Sequence, residues 1–160
     1  MPVLLLAIVV AAFDQIIKYY VQSQMTLGMS LPVINGVFHV TYILNPGAAF
    51  GLFAYQTTLL VTVTLAMFAS FAYFYSQIAA GHWLLRLGTA LLAGGAAGNV
   101  IDRVTTGYVV DFLDFRIWPV FNSADVAIVT GVGCFIYTLL FLPEMLPGKY
   151  PEGPESEGSL

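Results

Sequence analysis

The chain has 160 residues, of which 59% are hydrophobic and only 9% charged, whereas a soluble domain carries roughly 25% charged residues. This composition excludes an ordinary soluble domain and is typical of an integral membrane protein. The net charge of -4 comes mostly from Glu residues near the C-terminal end, and no basic run is present, so the sequence predicts no nucleic-acid partner.

The first predicted element is a membrane-spanning helix at about 3–21, because about 20 apolar helical residues cross a bilayer core. Asp14 and Lys18 lie inside its apolar run. Four residues apart on one helical face, they can form an ion pair. The segment lacks the basic start and small-residue cleavage site of a signal peptide, so we interpret it as a retained helix.

The next segment, about 22–56, contains no Asp, Glu, Lys or Arg. An Asn35-Gly36 turn followed by strand-like alternation at 38–42 predicts a small β-sheet. An uncharged sheet beside a bilayer is suited to lie on the membrane surface or to hold a lipid-linked ligand.

Two further spans are predicted at about 57–80 and 83–101. The first carries no charged side chain and ends in aromatic residues suited to a membrane interface. The second is rich in Gly and Ala at 93–98. We interpret these small residues as sites of close helix packing, with a dimer interface through the same GxxxG spacing as the alternative.

A loop at 102–124, with an extended piece at 108–112, leads to a fourth predicted span at about 125–142. Residues 1–143 therefore form one predicted transmembrane domain. Residues 144–160 combine four Glu with several Pro, Gly and Ser, a composition that predicts a flexible acidic tail.

With four spans, all five aspartates lie at one membrane face, where carboxylates near hydrocarbon indicate a functional site. They are Asp14, Asp102, Asp111, Asp114 and Asp125. The positive-inside rule weakly places this face in the cytoplasm. The rule compares the numbers of Lys and Arg residues on the two sides of the membrane. Two of the residues that it counts, Arg103 and Arg116, are better interpreted as partners of the carboxylates.

Paired carboxylates can share one proton and activate water, as in aspartic proteases. Asn45, Asn99 and Asn122 are available to orient such a pair, although each also suits a turn, a helix end or an N-cap. The sequence has no HExxH zinc motif and no GxSxG serine site, so it predicts neither a metal nor another cofactor.

Two other classes of protein are compatible with carboxylates in membrane helices. A proton-coupled transporter needs ionisable groups reachable from both sides, which the uncharged second span disfavours. A structural subunit of a membrane assembly would tolerate replacement of its aspartates by asparagine.

Five motifs resemble those of the lipoprotein signal peptidases, also called signal peptidase II. They are DQIIK at 14–18 (family pattern DQxxK), NPGAAF at 45–50 (NxGAAF), GNVIDR at 98–103 (GNxxDR), VVDF at 109–112 (VxDF) and FNSAD at 121–125 (FNxAD). Their order and their positions relative to the four spans are those of the family.

This resemblance implies an aspartyl endopeptidase that removes the signal peptide from a prolipoprotein just before a diacylglyceryl-modified cysteine, with Asp111 and Asp125 as the catalytic pair. It implies supporting or substrate-binding roles for Asp14, Lys18, Asn45, Gly47, Asn99, Asp102, Arg103, Asn122 and Ala124. Segment 22–56 would be an extracytoplasmic β-cradle for the lipidated substrate, in contact with membrane lipid. The resemblance further implies inhibition by cyclic peptide antibiotics of the globomycin type.

The family arrangement also places both termini in the cytoplasm and the carboxylates near the outer face of the bacterial inner membrane, against the charge count. Within the pair, the helix N-terminus around Asp125 favours negative charge, whereas the apolar neighbours of Asp111 favour its neutral form. We predict that Asp111 is mainly protonated and Asp125 mainly ionised. Asp102 is predicted to pair with Arg103, and Asp114 is given no role.

Overall fold

The computed structural model describes residues 3–48 and 52–142, which form five helices and three strands. In chain order these are α1 (Val3–Gln24), β1 (Ser30–Ile34), β2 (Phe38–Asn45), α2 (Thr57–Tyr73), α3 (Tyr75–Ala80), α4 (Trp83–Thr106), β3 (Val109–Asp114) and α5 (Ser123–Phe141). The predicted helical architecture with one small sheet is confirmed. Residues 49–51 of the predicted cradle and the predicted tail at 144–160 lie outside the described residues.

Three helices of the described chain, α1, α4 and α5, are long and apolar enough to cross a membrane. The segment predicted as one span at 57–80 is two helices that meet at Phe74. Hydrogen bonds from Phe74 N–H to Ser70 O and from Ile78 N–H to Phe74 O, both 3.0 Å, continue through the junction. Consecutive aromatic residues at 73–75 lower helix propensity there, so the backbone is distorted without leaving its helical path.

Small residues of α4 allow α1 and α5 to pack directly against its backbone. A Cβ atom on Gly94 would lie 2.6 Å from the Ala7 carbonyl oxygen of α1, and one on Gly95 would lie 2.5 Å from the Ala124 carbonyl oxygen of α5. Both distances are shorter than real Cβ contacts. The interpretation of the Gly- and Ala-rich run as a close-packing site within the chain is confirmed.

The three strands form one antiparallel sheet in the order β1-β2-β3. The predicted hairpin turn is present, with Gly36 at φ 72°, and the predicted extended piece near 108–112 is β3. The pairing of β3 with β2 was not predicted; its register aligns His39 with Asp114 and Asn45 with Val109. This pairing holds the connection between α4 and α5 against the hairpin and so positions Asp111.

Candidate active site

Asp111 lies on β3 and is almost completely buried, with 1% of its surface exposed. Each carboxylate oxygen accepts a hydrogen bond from an asparagine amide. Asn45 Nδ2, at the end of β2, donates to Oδ2 (2.9 Å), and Asn122 Nδ2 donates to Oδ1 (2.6 Å). The carboxylate is therefore oriented by residues from two other parts of the chain.

Asp125 lies in the first turn of α5, where it forms a reciprocal capping box with Asn122. The Asp125 N–H donates to Asn122 Oδ1 (2.9 Å), and the Asn122 N–H donates to Asp125 Oδ2 (3.2 Å). Asn99 Nδ2 of α4 donates to the other carboxylate oxygen (2.9 Å). Asn122 is thus both the predicted N-cap and a direct link between Asp111 and Asp125.

Beneath this pair, the Lys18 ammonium is enclosed by polar atoms from two helices. It lies 2.7 Å from Asp14 Oδ2 and 2.8 Å from Asp102 Oδ2, and it donates to Asn99 Oδ1 (2.9 Å). The predicted Asp14–Lys18 ion pair is confirmed. Since Asn99 also contacts Asp125, the buried charges of α1 and α4 connect directly to the candidate catalytic pair.

The predicted pairing of Asp102 with Arg103 is wrong. Neighbouring residues on a helix point about 100° apart, so Asp102 faces Lys18, while Arg103 Nη2 donates to the Gly47 carbonyl oxygen (2.7 Å). The Gly47 N–H in turn donates to Asn45 Oδ1 (2.9 Å). Arg103 therefore stabilises the turn that follows Asn45, one of the donors to Asp111.

The structure also adds residues that were not among the predicted site residues. Gln15 Nε2 donates to Asp102 Oδ1 (2.8 Å) and to the Gly98 carbonyl oxygen (3.1 Å). Ser123 Oγ donates to Asp14 Oδ1 (2.6 Å), which also accepts the N–H of the predicted residue Ala124 (2.9 Å). The DQxxK motif contained Gln15 as a signal, whereas nothing in the sequence distinguished Ser123 from a simple N-cap.

The electrostatics of Asp111 differ from those of an exposed aspartate. Burial, followed by the nearby charge of Asp125, raises the pKa of Asp111 to about 7, although the amide donors Asn45 and Asn122 oppose this. The neutral form is favoured where a carboxylate is desolvated beside a like charge. Burial therefore favours the neutral form of Asp111, as predicted for this residue.

Asp111 and Asp125 both line one open cavity of about 1570 Å³. Asp111, Asp125, Asn99 and Arg103 contribute its polar side, and most of the other residues around it are apolar. Those apolar residues include Leu59, Leu60, Val63, Ile117, Val126 and Val129. Two carboxyl groups bound to one asparagine, at the side of an apolar cavity, can share a proton and activate a water molecule for attack on a carbonyl group.

The chain matches proteins of one kind along almost all of its length. The sequence profile of a family described as signal peptidase (SPase) II matches residues 6–141. A lipoprotein signal peptidase of Moorella thermoacetica is 51% identical over 151 residues, covering 94% of this chain and 100% of that protein. One from Pelotomaculum thermopropionicum is also 51% identical, over 82% of this chain and 87% of that protein.

Two solved structures are also similar to this chain along most of its length. A bacterial membrane enzyme determined by the in meso method at 2.3 Å resolution is 33% identical, with a TM-score of 0.82 over 99% of this chain and 93% of that one. A second bacterial membrane enzyme, determined by the same method at 1.9 Å, is 36% identical, with a TM-score of 0.78 over 87% of this chain and 92% of that one.

Proposed function

Because this chain belongs to the signal peptidase II family, a family of proteases that cleave signal peptides from prolipoproteins, we propose that Asp111 and Asp125 are its catalytic pair. The observation that carries this assignment is the position of Asn122. Its amide donates to Asp111 and its backbone N–H to Asp125, and both carboxylates line one cavity.

In the proposed reaction, ionised Asp125 takes a proton from a water molecule as the water oxygen attacks the scissile carbonyl carbon. Protonated Asp111 donates its proton to the carbonyl oxygen. As the C–N bond of the tetrahedral intermediate breaks, Asp125 gives its proton to the leaving nitrogen, and Asp111 takes a proton from one hydroxyl group of the intermediate, which returns the pair to its starting state. A pKa of Asp111 near 7 suits this role, because a general acid is most effective when its pKa lies near the working pH.

The supporting residues act by holding these two carboxylates. Asn45 and Asn99 donate to one carboxylate each, and the Gly47–Arg103 contact fixes the turn after Asn45. The remaining supporting residues are Asp14, Lys18, Asp102, Asn122 and Ala124. Together they link the ends of α1, α4 and α5, so that the pair needs little rearrangement when substrate binds.

The proposed substrate is a prolipoprotein whose cysteine already carries diacylglycerol, cut just before that cysteine. The cavity beside the pair has apolar residues from α2 and α5, which suit acyl chains and an apolar signal-peptide helix. The uncharged segment at about 22–56 would be the cradle that contacts the lipidated residue and membrane lipid. The same cavity is the proposed site for cyclic peptide antibiotics of the globomycin type.

We further propose four membrane crossings, with α2 and α3 together forming the second. Thr57 Oγ1, at the start of α2, donates to the carbonyl oxygen of Gly107 at the end of α4 (3.2 Å). Ile78 of α3 packs with Val3, at the start of α1, and with Ala90 of α4. These contacts lie towards opposite ends of α4, as expected of a segment that runs alongside this helix through the bilayer.

In this arrangement both termini are cytoplasmic and the catalytic pair lies near the outer face of the inner membrane. The charge count that favoured the reverse orientation depended on Lys18, Arg103 and Arg116. Each of these cations is bound to the site or the sheet, so none is a reliable topology signal. Residues 1–143 would form a single peptidase domain, and a chain that ends at residue 143 should retain full cleavage activity.

The test uses purified protein with a diacylglyceryl-modified prolipoprotein and its unmodified counterpart, followed by gel mobility. We expect cleavage of the modified precursor alone, and no cleavage by Asp111→Asn or Asp125→Asn. Failure of the unsubstituted enzyme to cut the modified precursor would refute the reaction. Cleavage by either variant would refute the assignment of the pair, and equal cleavage of both precursors would refute the requirement for the lipid.

A further inference from the structure

The connection between β3 and α5 is a short loop that forms part of the cavity. Its ends are joined where the Leu113 N–H donates to the Phe121 carbonyl oxygen (2.7 Å) and the Phe121 N–H donates back to the Leu113 carbonyl oxygen (3.1 Å). Between these ends, Ile117 and Trp118 line the same cavity as the catalytic pair. The shape of this loop therefore affects the volume that receives the substrate.

Asp114 connects the first turn of this loop to the sheet. Its Oδ1 accepts the Arg116 backbone N–H (2.8 Å), and its Oδ2 accepts Arg116 Nη1 (2.9 Å) and Thr41 Oγ1 of β2 (2.7 Å). Only 4% of the Asp114 surface is exposed. One buried carboxylate thus binds a neighbouring strand and both the backbone and the side chain of the loop.

The loop conformation depends on such contacts. Arg116 has φ 65°, in the left-handed region that residues other than glycine rarely adopt. Beside it, the Phe115 ring stacks on Phe121 with centroids 5.9 Å apart. Burial raises the pKa of Asp114, but the donors Thr41 and Arg116 outweigh it and hold the pKa below its usual value. The carboxylate therefore stays charged and retains its donors at neutral pH.

We propose that Asp114 is a positioning residue for substrate binding, which holds loop 115–120 as a wall of the cavity and thereby sets the affinity for the lipid-modified peptide. Asp114 is not among the described residues that line the cavity, so it acts through the loop and not on the reacting atoms. This inference rests on the proposed function, because the affinity concerned is that of the peptidase for its substrate.

The test measures KM and kcat on the diacylglyceryl-modified prolipoprotein in mixed micelles for three variants. Asp114→Ala removes every acceptor, and we expect KM to rise about tenfold with kcat within about twofold. Asp114→Asn can still accept the Arg116 N–H, so its KM should rise about threefold. Ser70→Ala is the control: the Ser70 hydroxyl of α2 is exposed, donates to the Ala66 carbonyl oxygen (2.9 Å) and is not among the described residues that line the cavity, so its KM should be unchanged.

A fall in kcat at constant KM, an unchanged KM in Asp114→Ala, or an equal effect of Ser70→Ala would each overturn the proposal. If Asp114→Ala does not fold, Thr41→Val removes one donor at almost constant shape and should raise KM by itself; no rise would count against the proposal. Asp111→Asn in the same assay separates the two hypotheses, since its activity would contradict the catalytic assignment without affecting the KM comparison.

Discussion

Replacing Asp111 by asparagine tests the charge state of the proposed catalytic pair through protein stability. Burial and the charge of Asp125 raise the pKa of Asp111 from 3.8 to about 7. The folded protein therefore binds this proton more tightly than the unfolded chain does. The stabilisation that this proton gives the folded protein is fully present below about pH 4 and is lost as the pH rises to about 7. At 1.36 kcal/mol per pH unit, the total is about 4 kcal/mol.

Asparagine has no proton to lose, so Asp111→Asn should remove this pH dependence along with the activity. Between about pH 5 and pH 8, we expect the unfolding free energy of the unsubstituted protein to fall by about 2–3 kcal/mol more than that of the variant. Reversible unfolding by SDS in mixed micelles measures both curves. As a comparison, Asp125→Asn removes the like charge beside Asp111, so the unfolding free energy of this variant should begin to fall at a lower pH.

Parallel pH curves for the unsubstituted protein and Asp111→Asn would refute the reasoning, because they would mean that Asp111 is ionised in both the folded and unfolded states across this range. A steeper curve in the variant would refute it as well. The side chain introduced by Asp111→Asn has one acceptor oxygen for the two donors, Asn45 and Asn122, which by itself lowers the stability of the variant. The decisive quantity is therefore the slope of the unfolding free energy against pH, and not its absolute value.

Three other substitutions test the buried network. Lys18→Met should destabilise the protein by about 3–5 kcal/mol in the same SDS assay and abolish cleavage, because it leaves two buried carboxylates without their cation. Gly98→Ala would place a Cβ against a buried carboxylate of α1 and should cost about 1–3 kcal/mol, whereas Gly133→Ala, with nothing within 4 Å, should be neutral. Gln15→Leu removes a donor from Asp102 and should lower kcat severalfold without abolishing cleavage.

Local features of this fold could be predicted from the sequence because their causes are local. The Asp14–Lys18 pair follows from i,i+4 spacing on a helix. The hairpin follows from Asn35-Gly36, and the N-cap of α5 from Asn122. The division of 57–80 at Phe74 was missed because hydropathy reports only how apolar a segment is; the local signal was the aromatic run at 73–75, which lowers helix propensity.

Contacts between distant segments could not be read from the sequence. Whether Asp102 pairs with Arg103 or with Lys18 depends on the packing of α1 against α4, which small residues such as Gly98 permit. The role of Asp114 depends on the β2–β3 register, which brings it beside Thr41. Neither the helix packing nor the register has a signature within a single segment.

The charges of the site explain why one carboxylate of the proposed catalytic pair is expected to keep its proton. The site contains four carboxylates, those of Asp14, Asp102, Asp111 and Asp125, and two cations, Lys18 and Arg103. Lys18 is committed to Asp14 and Asp102, and Arg103 donates to a backbone carbonyl. A proton on Asp111 reduces the excess of negative charge where burial makes it most costly. The positions of the two cations leave both Asp111 and Asp125 without a direct ion pair in the described part of the chain. Asp111 is the more deeply buried of the two, so the proton is expected there.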